Sequence, residues 1–142
     1  MTVESLLAHL HELETALADE LRAAANRHRD DHDIYHQCQA FGLSVDRRLQ
    51  KLEPLLRRYE GRAKWKSAVR DGSNDLLEEL RALYLREQED AITWTIAAQA
   101  AKACRDRDLL MLATECQSEA EMQAKWFTAR IKTGAPQALV VR

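Results

Sequence analysis

The sequence has few of the residues that interrupt helices. Its 142 residues include only four glycines and two prolines, the two residue types that are least favourable inside a helix. Alanine, leucine, glutamate, arginine and glutamine are abundant instead, and these residues have high helix propensity. The composition therefore predicts a chain that is helical almost throughout.

The chain also has few cysteines and a small net charge. The three cysteines, Cys38, Cys104 and Cys116, include no C-x-x-C pair, so neither a disulfide framework nor a zinc site is indicated. The formal charge is -2, which gives no general attraction to nucleic acid or to an acidic membrane surface. Either partner would need a local basic patch.

The chain contains no apolar run of about 18 residues, the length that a membrane-spanning helix requires. Residues 1–14 are acidic and amphipathic, without the basic start and unbroken apolar segment of a signal peptide. We therefore expect a cytoplasmic protein with no membrane partner. Its length is typical of one domain.

The spacing of apolar residues predicts four long helices. The first covers about residues 3–28, the second ends near Tyr59, the third runs from a cap at Ser73, Asn74 or Asp75 to Cys104, and the fourth ends at Gly134. Residues 134–142 should form a tail that docks through Leu139, Val140 and Val141. The residues predicted to face inward are Val3, Leu6, Leu10, Leu13, Leu17, Leu21, Ile34, Cys38, Phe41, Val45, Leu49, Leu52, Leu56, Tyr59, Leu109, Leu112, Cys116, Ala120, Phe127 and Ile131.

One long connection separates two predicted helical hairpins. Residues 60–73 include Gly61 and Gly72; fourteen extended residues span about 45 Å, whereas a helix of about 27 residues is about 40 Å long. The connection can therefore cross the whole bundle. The prediction is a single all-α domain with antiparallel hairpins over about residues 3–59 and 74–133, joined by this crossover.

Identical residues recur at a spacing of 75 along the chain. Such self-similarity predicts that one helical hairpin occurs twice. The matching pairs are Leu10 and Leu85, Glu12 and Glu87, Glu14 and Glu89, Ala16 and Ala91, Ala23 and Ala98, Ala25 and Ala100, Asp31 and Asp106, and Asp33 and Asp108.

These features resemble the ferritin-like superfamily, which has duplicated hairpins, a long second crossover and carboxylates on the first and third helices. Within that superfamily, the chain resembles small bacterial members whose sequences end with Arg-Ile-Lys followed by Ala-Pro-Gln-Ala-Leu, here within residues 130–139. The resemblance implies a four-helix bundle. Metal-binding members hold two ions with one Glu from each of two helices and a Glu-x-x-His pair from each of the others.

This sequence offers an incomplete version of that metal site. The partners of Glu14 and Glu89 fall near residues 46–48 and 121–123, which contain no histidine but include two arginines. We therefore expect a guanidinium to neutralise Glu14 or its neighbours, and no bound cofactor. Under the alternative, an oxidoreductase that binds iron or manganese, the candidate ligands are Glu14, Glu20, Glu87, Glu89 and Glu119.

Two further groups of residues have more than one interpretation. His28, His32 and His36 recur every four residues, but a polar turn interrupts their helix; they form a surface cluster that picks up zinc or nickel during purification, or a dedicated metal site. Basic and aromatic residues near the crossover are a solvated segment or a site for nucleic acid or another phosphate ligand. The latter residues are Arg57, Arg58, Arg62, Lys64, Trp65, Lys66 and Arg70.

The third helix contains an apolar segment that is either part of the core or part of a subunit contact. Its segment AITWTIAAQAA, residues 91–101, is apolar on nearly all sides, so Trp94 is either central in the bundle or part of a subunit contact. The sequence as a whole favours a non-catalytic binding or assembly module with a protein partner. A homo-oligomer formed through the Trp94 region is one option, and nucleic acid is not the expected partner.

Overall fold

Four α-helices and no strands make up the regular structure of residues 1–60 and 67–140, which the computed structural model describes. Contacts between neighbouring helices close a ring in the order α1, α2, α4, α3. The predicted all-α, four-helix class is confirmed for these residues, and none of the four helices is long and apolar enough to cross a membrane. The helices are α1 (Val3–Arg27), α2 (His32–Tyr59), α3 (Leu76–Cys104) and α4 (Arg107–Leu139).

Side-chain caps and left-handed residues fix the helix ends. At the start of α1, the Thr2 amide donates to the Ser5 hydroxyl at 2.9 Å and the Ser5 amide donates to the Thr2 hydroxyl at 3.1 Å. Asp75 caps α3, as predicted, by accepting a bond from a backbone amide. Glu60 and Arg105 follow α2 and α3 with φ of 52° and 56°. The chain thus leaves both helices in a conformation more usual for glycine.

Two apolar clusters form the core. One contains Leu10 and Trp94, and the other contains Leu17 and Phe127. The residues predicted to face inward on α1, α2 and α4 are buried in most cases. The exceptions are half-buried: Val3, Leu49, Leu56, Tyr59 and Ile131.

The spacing of 75 residues does not relate equivalent positions. Leu10 has no exposed surface, whereas Leu85 is 43% exposed. Buried positions of α1 and α3 match at a spacing of 77, as in Leu17 and Trp94, and those of α2 and α4 match at 78, as in Cys38 and Cys116. The predicted register of the repeat was wrong because alanine and glutamate occur on several faces of these helices.

Helix α4 continues past the predicted stop. Gly134 and Pro136 lie inside the helix, which ends at Leu139, because Gly134 does not adopt the positive φ of a helix-ending glycine. The Val140 amide donates to the Pro136 carbonyl at 3.0 Å. Leu139 and Val140 are exposed, so the predicted docking of the tail is wrong for them. Val141 lies outside the described residues.

Residues 67–73, in the connection between α2 and α3, lie against α1 and α3. The Arg70 amide donates to Glu20 on α1 at 2.8 Å, and the Ser73 amide donates to Glu79 on α3 at 2.8 Å. This segment therefore follows the groove between the two helices. Residues 61–66 of the predicted crossover lie outside the described residues.

Gly72 lies where a side chain would collide with an ion pair. A Cβ atom there would overlap Arg27 Nη2 and lie 2.6 Å from Glu79 Oε2, and Arg27 and Glu79 form a pair of 2.9 Å. We expect Gly72→Ala to lower the free energy of unfolding by about 1 kcal/mol because it displaces this pair. Gly134→Ala, inside α4, should raise it by about 0.5 to 1 kcal/mol. Urea denaturation measures both effects, and a Gly72→Ala variant as stable as the wild type would contradict the first.

Candidate functional site

Five buried polar residues from all four helices meet at the middle of the bundle. Glu14, Glu87, Asp90 and Gln123 have no exposed surface, and Arg48 is 3% exposed. We refer to these five residues as the central cluster. Because a buried charge is costly unless it is paired and hydrogen-bonded, their mutual contacts determine what the cluster can do.

Helical spacing explains why these polar residues face inward. On α1, Glu14 lies between the buried Leu10 and Leu17, each a turn or less away. On α3, Glu87 and Asp90 belong to one row of buried positions. Residues three or four apart share a helix face, so burial of the apolar neighbours brings the polar side chains into the interior.

Glu14 accepts a hydrogen bond at each carboxylate oxygen. Arg48 Nε lies 3.1 Å from Oε2, and Trp94 Nε1 lies 2.6 Å from Oε1. Such charge-assisted bonds are stronger than neutral ones. The prediction that a guanidinium neutralises Glu14 is confirmed by this contact.

Arg48 also faces two further carboxylates. Its Nη2 is 3.8 Å from Asp90 Oδ2, and its Nη1 is 3.6 Å from Glu119 Oε1. Burial alone would lower the pKa of Arg48, but the charge of Glu14, followed by those of the other carboxylates, outweighs burial and raises the pKa. The guanidinium therefore stays charged and is the cation of the central cluster.

Glu87 and Asp90 hold their protons more strongly than ordinary carboxyl groups. Burial is the largest cause of the raised pKa of each, the charge of Glu14 adds to it, and Arg48 opposes it. Neither oxygen of Asp90 accepts a hydrogen bond. A protonated Asp90 can instead donate to Glu14, and this bond contributes to its raised pKa.

Gln123 connects Glu87 to the opposite side of the bundle. With the amide oriented to satisfy both groups, Nε2 lies 2.8 Å and 3.1 Å from the two oxygens of Glu87. In this orientation the Ser44 hydroxyl on α2 donates to Gln123 Oε1 at 3.3 Å, and Glu119 lies next to the same hydroxyl. These contacts extend the hydrogen-bonded network from α3 to α2 and α4.

Three of the five predicted metal ligands come together here. Glu14 and Glu87 belong to the central cluster, and the side chain of Glu119 lies at its edge, 26% exposed. Asp90 joins them and was not predicted. Its position three residues after Glu87 and four before the buried Trp94 is the sequence signal that could have identified it.

The other two predicted ligands lie outside the cluster. Glu20 is buried and forms two bonds with Arg86, at 3.0 Å and 2.8 Å. Glu89 is 38% exposed at its side chain and pairs with Arg70 and Arg86. The predicted equivalence of Glu89 with Glu14 was wrong, because Glu89 lies off the inward face of α3.

The central cluster does not fit a pair of metal ions. Ferritin-like metal sites need carboxylate oxygens and imidazole nitrogens with free lone pairs, but both oxygens of Glu14 are engaged by N–H donors. Helix α2 contributes only the guanidinium of Arg48 to the central cluster. Over residues 1–60 and 67–140, no group of three or more His, Cys, Asp or Glu side chains is arranged to hold a metal ion.

Two cysteines are buried in the apolar core, as predicted. Burial raises the pKa of Cys38 to about 12 and also raises that of Cys116. Because the thiolate is the nucleophile, neither side chain is suited to covalent catalysis.

The described basic residues near the crossover pair with carboxylates in two different parts of the bundle. Arg58 pairs with Asp106 at the start of α4, whereas Arg70 pairs with Glu89 on α3. Arg57 is exposed. The remaining members of the predicted phosphate site lie outside the described residues: Arg62, Lys64, Trp65 and Lys66.

Trp94 is in the core and not on the surface. It has no exposed area, which confirms the central position and corrects the idea that this side chain forms a subunit contact. The outer face of α3 instead carries Leu85, Ile92 and Ile96, which are 43%, 58% and 45% exposed. Their spacing of seven and four residues places them on one face of the helix.

Comparison with models of known protein families finds no match to this chain, and no curated protein is significantly similar to it.

Proposed function

We propose that this protein is a ferritin-like bundle in which Arg48 takes the place of bound metal ions, and that it acts as a non-catalytic binding or assembly module. The contact of Arg48 with Glu14 carries the proposal. A guanidinium supplies a permanent positive charge and directed N–H donors. It cannot change oxidation state, so the interior is held together without a redox centre.

The residue numbers at the helix contacts support the ferritin-like arrangement. In three of the four neighbouring pairs of helices, higher numbers on one helix meet lower numbers on the other, as antiparallel neighbours require, and a turn of two residues reverses the chain between α3 and α4. In the ring α1, α2, α4, α3, this leaves α2 and α3 parallel at opposite corners, which needs a crossover along the bundle. The contacts are Glu14 with Trp94, Glu20 with Arg86 and Arg27 with Glu79; His11 with Glu53 and Glu14 with Arg48; and Lys51 with Glu115 and Arg58 with Asp108.

The outer face of α3 supports a role in assembly. Leu85, Ile92 and Ile96 are exposed on it, and Glu89, which lies between them, is paired with Arg70 and Arg86. Grouped apolar residues on a surface are typical of contact sites. A protein partner, including a second copy of the chain, fits this surface better than a charged ligand.

The decisive test is metal dependence. We expect the protein, purified without a His tag, to contain no stoichiometric iron or manganese, and the Tm of the metal-stripped protein to stay unchanged when Fe²⁺ or Mn²⁺ is added. A metal that binds only the native state would raise the Tm once its free concentration exceeds its Kd. Elemental analysis and thermal denaturation measure the two quantities.

The contrary result would be equally clear. The alternative is a di-iron or other metal-binding oxidoreductase, and it requires about two metal ions per chain. If elemental analysis finds iron at that level, and Glu14→Gln removes it, the proposal that Arg48 replaces the metal is wrong.

A further inference from the structure

His32 and His36 lie one helical turn apart at the start of α2, far along the helix from Arg48. Both side chains are exposed, and their ring centroids are 6.3 Å apart. They border an open groove of about 540 Å³ between the start of α2 and the end of α4. His28 is not part of this pair, because its Nε2 lies 2.8 Å from the Ser73 carbonyl oxygen.

We propose that His32 and His36 chelate one divalent transition-metal ion, with its remaining coordination positions open to the groove. Neutral imidazole suits Cu²⁺, Ni²⁺ and Zn²⁺, and affinity is expected to be highest for Cu²⁺. Metal–nitrogen bonds of about 2.0 to 2.1 Å bring two imidazole centroids to roughly 5 Å. The rings therefore need to approach by about 1 Å, which exposed side chains reach by small rotations.

The charges around the groove favour a cation over an anion. Arg130 borders the groove, but its Nε is 2.8 Å from Asp33 and its Nη2 is 3.4 Å from Asp31. The carboxyl groups of Asp31 and Asp33 thus both face the guanidinium and offset its charge. An anion would find no uncompensated positive charge there.

The helices that carry the pair are held in place by neighbouring contacts. The Asp33–Arg130 ion pair joins α2 to α4 beside the histidines. Trp126, which also borders the groove, packs edge-on against Phe41 at 5.9 Å and Phe127 at 5.4 Å. The helix backbone that carries the two imidazoles is thus held in place by packing. Metal binding therefore requires only rotation of the two side chains.

Calorimetric titration of the untagged, metal-stripped protein with Cu²⁺ tests the proposal. We expect saturable binding of one ion per chain. His32→Gln and His36→Gln should each weaken it by at least about tenfold, whereas His11→Gln, on α1, should leave it unchanged. Because both target side chains are exposed, the variants should unfold at the wild-type temperature, which excludes misfolding as the cause of a loss.

Two results would overturn the proposal. One is Cu²⁺ binding that is unsaturable or that both histidine variants retain. The other is saturable binding of inorganic phosphate that Arg130→Gln abolishes, since this would identify the groove as an anion site. Neither result tests the proposal for the central cluster, because that cluster contains neither of the two histidines nor Arg130.

Discussion

We expect Arg48→Met to lower the free energy of unfolding by about 3 to 5 kcal/mol. The substitution keeps an unbranched side chain but removes the charge that faces Glu14, Asp90 and Glu119. Glu14 would then remain buried without its guanidinium partner, and the loss of one member of a buried pair leaves an uncompensated charge. Urea denaturation followed by circular dichroism measures the change.

The neighbouring residue provides a matched control. Arg47 is exposed on the same helix, so Arg47→Met should change the free energy of unfolding by no more than about 0.5 kcal/mol. If the two variants are equally stable, the central cluster does not depend on its guanidinium. That outcome would remove the main support for the proposal that Arg48 replaces metal ions.

The contact between Glu14 and Arg48 could be predicted because a short turn fixes the register of α1 and α2. Glu14 lies about as far before the turn as Arg48 lies after it, so antiparallel packing brings them to one level. The four helices and the inward faces of α1, α2 and α4 were predictable for a related reason. Their apolar residues repeat with the helical period, and burial of one face follows from that period.

The inward face of α3 could not be predicted in the same way. Ile92 and Ile96 are apolar but exposed, whereas Glu87 and Asp90 are charged in sequence but fully buried. Apolar residues around the whole helix give no single preferred face. Contacts with Arg48 and Gln123 on other helices determine which side is buried, and these contacts exist only in the folded bundle.

Helix ends depended on backbone conformations that the residue types did not reveal. Gly134 and Pro136 continue α4, whereas Glu60 and Arg105 adopt the left-handed conformation after α2 and α3. Residue preferences at helix ends are statistical. Neighbouring contacts overrode them here: Arg105, for example, directly precedes Asp106, whose side chain caps α4.

The raised pKa values of Glu87 and Asp90 predict that their contribution to stability falls as the pH rises. Below about pH 4, the usual pKa of a carboxyl group, both the native and the unfolded chain hold these protons. At higher pH the unfolded chain releases them while the native protein retains them, so unfolding becomes more favourable until the native pKa is reached. The slope is at most about 1.4 kcal/mol per pH unit for each group.

Asp90→Asn isolates one of these carboxyl groups. The amide can still donate to Glu14 but has no proton to lose in the unfolded chain. We expect the variant to be as stable as the wild type near pH 4 and increasingly more stable than the wild type as the pH rises. Urea denaturation of both proteins at several pH values gives this difference, in which the titration of groups far from Asp90 cancels.

An exposed carboxyl provides the comparison for this experiment. Glu121→Gln, on the outer face of α4, should differ from the wild type by a small amount at every pH, because an exposed side chain has similar surroundings in the native and the unfolded chain. If the Asp90→Asn difference is also constant from pH 4 to pH 8, Asp90 is ionised in the native protein. Arg48 would then have to balance the charges of Glu14 and Asp90 together, and the central cluster would depend on its guanidinium even more than proposed.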